Sequence, residues 1–169
     1  MAQTRILVVD DEKATLRLCA VILNSLPDVE ITLESDSCRA AERLVSEHFD
    51  LLITDIRMPI IDGMELLLMA RQHNPHLSVL VITGFPTVNT AVESMKRGAT
   101  DYIVKPFLPD DFRATVRRLL EERHLREAPG AEGTDEEGAA QQSTRENALE
   151  HQVFIEVETR YRTLFEGVP

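Results

Sequence analysis

Four short apolar runs, each ending on a residue that can do chemistry, constrain this chain more than anything else in it. Ile6-Leu7-Val8-Val9 leads into Asp10 and Asp11. Leu51-Leu52-Ile53-Thr54 leads into Asp55, Val79-Leu80-Val81-Ile82 into Thr83, and Tyr102-Ile103-Val104 into Lys105. β-Branched runs of this length read as strands buried on both faces. Amphipathic segments with helical spacing separate them, and that alternation builds a parallel sheet. In an open parallel sheet the carboxyl ends of the strands share one edge, where ligands bind. Three carboxylates, a hydroxyl and an ammonium, far apart in sequence, are therefore expected at one place.

The coarse reading is five βα units. Strands are expected near 5–9, 29–34, 50–54, 78–83 and 101–104. Helices are expected near 12–26, 37–48, 63–73, 87–97 and 109–127. Val29-Glu30-Ile31-Thr32-Leu33 alternates apolar and polar, as an edge strand does. The fold class is α/β: a doubly wound, five-stranded parallel sheet of flavodoxin-like order 2-1-3-4-5, with helices on both faces. Gly98 closes the fourth helix, where a positive φ is needed. Pro109-Asp110-Asp111 opens the fifth with proline and acids in a favourable first turn.

Clustered carboxylates repel unless a cation joins them. Hard oxygen ligands with room for water suit Mg²⁺, above all beside a phosphate. Alone, Asp10-Asp11 reads as a solvated turn or helix cap, Thr83 as a strand-end hydroxyl and Tyr102 as a core aromatic. Combined with Asp55 and Lys105 at the other strand ends, the acidic pair reads as a metal site instead.

The motifs Val9-Asp10-Asp11-Glu12, Asp55-Ile56-Arg57-Met58-Pro59, Asp62-Gly63, Thr83-Gly84 and Lys105-Pro106 resemble, in order and spacing, a response-regulator receiver domain of two-component signalling. The resemblance covers roughly residues 4–127. Thr83-Gly84-Phe85-Pro86-Thr87 and Met95-Lys96-Arg97-Gly98-Ala99 resemble the nitrogen-regulation class. It implies Asp55 as phosphoacceptor, with Lys105 and Thr83 contacting the phosphoryl group. It implies Mg²⁺ on Asp11, Asp55 and the backbone carbonyl of Arg57, with Asp10 acting through water. Thr83 and Tyr102 become the switch pair, and Lys105–Pro106 a cis peptide. A sensor histidine kinase is the implied phosphate donor. The fourth helix (with Val92, Met95 and Lys96), fifth strand and fifth helix become the output face, with a homodimer expected on phosphorylation. The competing readings are a receiver-like interaction module that is never phosphorylated, and a phosphatase that forms an aspartyl phosphate. The second needs Asp-x-Asp after its first strand, where this chain has adjacent acids.

Charge and composition narrow the classes further. The 169 residues carry a formal charge of −11, which argues against a phosphate backbone as partner. Apolar residues make up 43%, enough for one core. Cys19 and Cys38 read as buried, reduced thiols within helices. His48, His73, His76 and His124 read as solvated. No apolar run approaches the ~18 residues that span a bilayer, and a strand begins within five residues of Met1, so a cytoplasmic protein without a leader or membrane insertion is expected.

Three domains are expected. Residues 1–127 form the receiver. Residues 128–143 form a flexible acidic linker, rich in glycine and without bulky apolar residues. Residues 144–169 carry an amphipathic stripe (Leu149, Val153, Val157, Tyr161, Leu164) ending in a segment that resembles the start of a PAS sensory domain. That start lacks the ~100 residues a complete PAS domain uses, so the chain is expected to belong to a longer protein with a downstream sensory or output domain. His151 lacks the flanking pattern of a phosphoacceptor histidine.

Overall fold

The structure is a computed structural model that describes residues 3–129; the linker, the stripe, His151 and the PAS-like segment lie outside the described residues. Five strands alternate with five helices: β1 (Thr4–Val9), α1 (Lys13–Leu23), β2 (Val29–Glu34), α2 (Ser37–Ser46), β3 (Leu51–Asp55), α3 (Gly63–His73), β4 (Ser78–Thr83), α4 (Val88–Lys96), β5 (Asp101–Val104) and α5 (Pro109–Glu127). The sheet is parallel with order β2-β1-β3-β4-β5.

The apolar runs explain themselves once the sheet forms. Side chains alternate across a strand, and here both sides are covered. Leu7, Val9, Leu52, Val79 and Val81 point into a core with Leu44 of α2, Leu66 and Leu67 of α3 and Ala91 of α4. Ile6, Val8, Ile53, Leu80 and Ile82 point the other way, onto Cys19 and Leu23 of α1 and Phe112, Val116 and Leu119 of α5. Each central strand therefore needs apolar residues at every position. At the edge, Glu30 and Leu33 of β2 are exposed while Glu34 turns inward, its carboxylate 3.3 Å from Arg43 Nε.

The helices begin where capping chemistry places them. The Asp36 carboxylate accepts from the Cys38 and Arg39 amides at the start of α2. Asp62 with Glu65, and Thr87 with Thr90, form reciprocal capping boxes for α3 and α4. Pro109 opens α5. Gly98 has a φ of 104°, as its position after α4 requires.

Three expectations shift. α1 ends at Leu23 rather than near residue 26, because Ser25 and Leu26 turn back onto the carbonyls of Ile22 and Leu23. Met95 is buried, because Ala91 and Met95 sit on the inner face of α4, so the outward face consists of residues such as Glu93 and Lys96. Cys19 is fully buried, but Cys38, in the first turn of α2, is only half-buried.

Candidate functional site: the carboxyl edge of the sheet

Asp10, Asp55, Thr83 and Lys105 arrive together because β1, β3, β4 and β5 are adjacent and in register. Val9 pairs with Thr54, Asp55 with Ile82, and Thr83 with Val104. Backbone bonds carry the alignment past the strand ends: the Asp10 amide donates to Glu34 O (3.2 Å) and the Lys105 amide to Thr83 O (2.8 Å). The Lys105–Pro106 peptide is cis.

The side chains form a compact charge cluster. Carboxylate oxygens of Asp10, Asp11 and Asp55 lie within 4.8 Å of one another. The Lys105 ammonium reaches Asp10 Oδ2 at 2.6 Å and Asp55 Oδ2 at 3.2 Å. Their remaining oxygens are also held: Asp10 Oδ1 accepts from the Glu12 amide (2.9 Å) and Asp55 Oδ1 from the Ile56 amide (2.8 Å). Asp10 is 2% exposed and Asp55 9%, whereas Asp11 faces solvent.

Burial sets the electrostatics. It pushes the Asp10 carboxyl above the usual carboxylate range, more strongly than the Lys105 hydrogen bond and charge pull it down. Burial alone would lower the Lys105 ammonium. The hydrogen bond and charge of Asp10, followed by the charge of Asp55, outweigh burial and raise it. Both shifts stand, because Asp10 is the more deeply buried partner and Lys105 is the one held by two acids. Beneath the site, burial and then the Asp10 charge push the Cys19 thiol up to about 12.

Three carboxylates against one ammonium leave a formal charge of −2 in this cluster. Hard oxygen donors with that excess charge, one of them solvent-facing, fit a divalent cation that keeps waters, as Mg²⁺ does.

Not every expected residue joins the cluster. Thr83 is 1% exposed, and its hydroxyl oxygen accepts from the Phe85 amide at 3.1 Å. Tyr102 lies three residues back on β5, buried against α4, with its hydroxyl 3.3 Å from Thr90 Oγ1. The guanidinium of Arg57, whose backbone carbonyl alone was expected at the metal, sits over Phe85, its Cζ 4.2 Å from the ring centroid.

Sequence reasoning missed several supports. Glu12 places Oε2 4.0 Å from Lys105 Nζ. Thr54 donates its hydroxyl to Asp55 O at 2.9 Å. Gly63 packs so tightly that a Cβ would stand 1.9 Å from Asp55 O. The Asp62-Gly63 pair and the motif that includes Glu12 gave signals for two of these; Thr54 gave none.

The doubly wound fold, with a lysine and an acidic cluster at its carboxyl edge, defines an α/β domain built around a charged site. Comparison with known proteins makes the assignment specific. The model of the response regulator receiver domain matches residues 6–117. Transcriptional regulatory protein ZraR of Klebsiella oxytoca is 35% identical over 130 residues, which are 77% of this chain and 29% of ZraR. A CheY-like response regulator receiver domain protein from Methanospirillum hungatei superposes with a TM-score of 0.68 at 30% identity, covering 72% of this chain and 97% of that one. The beryllofluoride-activated NtrC4 receiver domain dimer gives 0.66 at 30% identity, covering 70% and 98%. This chain belongs to the response regulator receiver domain family of two-component signalling. It spans less than a third of the curated relatives it matches. Receiver domains bind Mg²⁺ at an acidic pocket, are phosphorylated by histidine kinases and can dimerise. Among the described residues, no helix is long and apolar enough to cross a membrane.

Proposed function

We propose that the chain is a phosphorylation-controlled switch that accepts a phosphoryl group on Asp55 from a sensor histidine kinase. The observation that carries this reading is the Lys105 ammonium held between Asp10 and Asp55, two of three convergent carboxylates. A carboxylate attacks a phosphoryl group poorly because both are anionic. Charge neutralisation and positioning supply most of what such a transfer needs.

Asp10, Asp11, Asp55 and the backbone carbonyl of Arg57 would hold Mg²⁺, with Asp10 acting through water. When bound, Mg²⁺ supplies positive charge to the phosphoryl oxygens. An Asp55 oxygen attacks phosphorus, forming an O–P bond as the N–P bond of a phosphohistidine breaks. The departing imidazole nitrogen keeps the electron pair. Lys105 then donates to the acyl phosphate. The Thr83 oxygen already accepts from the Phe85 amide, so its proton is available for a phosphoryl oxygen. A shift of Thr83 toward Asp55, with Tyr102 repacking against α4, relays the modification to the face of α4, β5 and α5. Self-association of phosphorylated chains through that face is the expected output, as the NtrC4 receiver domain dimer suggests. On sequence grounds, residues 128–143 link the receiver to a helix and PAS-like segment over 144–169.

Incubation with acetyl phosphate and Mg²⁺, read by intact mass, tests the reading. One added phosphoryl group is expected, abolished by EDTA and by Asp55→Asn. Stoichiometric labelling of the Asp55→Asn protein elsewhere would refute the site. No labelling of the unmodified protein would favour an unphosphorylated interaction module.

A further inference from the structure

The loop between β3 and α3 contains a strained turn that one side chain from α2 holds at both ends. Ile60 has a φ of 73°, a left-handed conformation that β-branched residues rarely adopt. The Ile61 amide donates to Pro59 O at 3.0 Å, closing a three-residue γ-turn around Ile60. With positive φ this is the rare, strained form of that turn. The Ile60 side chain is 84% exposed, so its own burial offsets none of the cost. The compensation comes from Ser37, 5% exposed at the first position of α2. Its hydroxyl donates to Pro59 O (2.8 Å) and its oxygen accepts from the Ile61 amide (3.3 Å). Ser37 is free for this because Asp36 caps the helix. The far end of the loop is fixed as well, where the Gly63 amide donates to Ile56 O at 2.8 Å. Arg57 to Asp62 is thus backbone suspended between two anchors, and Arg57 carries the carbonyl assigned to Mg²⁺.

We propose that Ser37 is a positioning residue for the Mg²⁺ site: its hydroxyl latches the strained turn at Ile60 and so fixes the loop that carries the Arg57 carbonyl. The inference rests on the metal assignment under Proposed function. Strain of this kind persists only where the surroundings over-determine it, and it concentrates at functional sites. Groups behind a metal ligand set its orientation, and their loss weakens metal binding without touching a ligand.

The test uses the full chain, unphosphorylated, with Mg²⁺ affinity measured by calorimetric titration and Ile61 amide exchange by NMR. Ser37→Ala is expected to weaken Mg²⁺ binding about tenfold, the lower end of what losing such a support costs, and to speed exchange at Ile61. Ser37→Thr, which keeps the hydroxyl, restores both. Ile60→Gly removes the strain, so Ser37→Ala costs less Mg²⁺ affinity in that background. Ser37→Ala protein with unchanged Mg²⁺ affinity, or with Ile61 still protected, overturns the latch. So does a loss that is the same with Ile60 and with Ile60→Gly. If the unmodified protein takes up no Mg²⁺, or Asp55→Asn takes it up equally well, the metal assignment fails, and Ile61 exchange still decides whether Ser37 latches the turn.

Discussion

The guanidinium of Arg57 sits over the ring of Phe85 with its Cζ 4.2 Å from the ring centroid, joining the loops that follow β3 and β4. Phe85 is 62% exposed and Arg57 is exposed as well, so the pair lies at the protein surface. Hydrolysis of an acyl phosphate there needs a water in line with the O–P bond. Neither side chain is a general base, and their bulk, on the loops that follow β3 and β4, is expected to hinder such a water. Slow self-dephosphorylation is the expected behaviour. Replacing Arg57 by Asn and Phe85 by Glu together should shorten the phosphorylated lifetime at least about tenfold, or about 1.4 kcal/mol in barrier. Decay of the intact-mass signal measures it; a half-life of seconds in the unmodified protein would contradict the expectation.

Gly63 and Gly84 should respond oppositely to alanine. A Cβ at Gly63 would meet the Asp55 carbonyl at 1.9 Å and Ile56 Cα at 2.9 Å, all backbone. A Cβ at Gly84 would find only the Lys105 side chain, at 3.9 Å. Gly63→Ala is expected to cost about 1–3 kcal/mol or more in urea unfolding and to depress labelling of Asp55. Gly84→Ala should change stability by less than about 0.5 kcal/mol. Equal effects would contradict the packing described.

At the opposite edge of the sheet, Arg123 of α5 pairs with Asp50 and reaches Glu127 at 2.8 Å, while Asp50 also accepts from the Arg5 amide at 2.7 Å. Arg123 is 6% exposed. Removing one member of a buried pair strands the other, so Arg123→Ala should cost about 3 kcal/mol. Arg123→Met keeps the apolar stem and should cost less. Denaturant titration separates the two; a neutral Arg123→Ala would show that α5 is not held here.

Thiol chemistry should divide the two cysteines. Cys19 is fully buried with its thiol pushed up to about 12, and the thiolate is the reactive form. At pH 8 the folded chain should react with an aromatic disulfide reagent at Cys38 alone, and at Cys19 only on unfolding. A raised folded value means that Cys19 favours the fold below its ordinary value of 9.0. That contribution declines as pH rises from there toward about 12. Two fast thiols in the folded protein would refute the burial.

Asp10 gives a pH signature through the same linkage. Its folded carboxyl lies above the ordinary value of 3.8, chiefly through burial. Its stabilising contribution is therefore present below that value and is lost as pH rises through the folded value. Asp10→Asn cannot ionise, so its melting midpoint relative to the unmodified protein should climb between pH 3 and pH 7. A difference that stays flat or falls over that range would count against the burial-driven shift.

The strand-end positions of Asp10, Asp55, Thr83 and Lys105 were legible because their determinants are local. Continuous apolar runs require burial on both faces, which a parallel sheet covered by helices provides. The βαβ order then puts every strand's carboxyl end on one edge. Gly98 marked the end of α4, and Pro109-Asp110-Asp111 the start of α5, for equally local reasons.

What only the tertiary structure decided is how side chains from distant segments meet. Lys105 lies ninety-five residues from Asp10, and whether its ammonium spans Asp10 and Asp55 depends on register and rotamer. The burial of Met95, the half-exposure of Cys38 and the pairing of Arg123 with Asp50 follow from how helices rotate against the sheet. The grip of Ser37 on the turn at Ile60 belongs to the same class. Ile60 carries no turn signal of its own, since a β-branched residue argues against positive φ. Hydrophobic period and order of elements are properties of the chain and fix the fold and the edge that bears the site. Close contacts between non-adjacent segments arise from packing a particular set of volumes, and exist only once the chain has closed on itself.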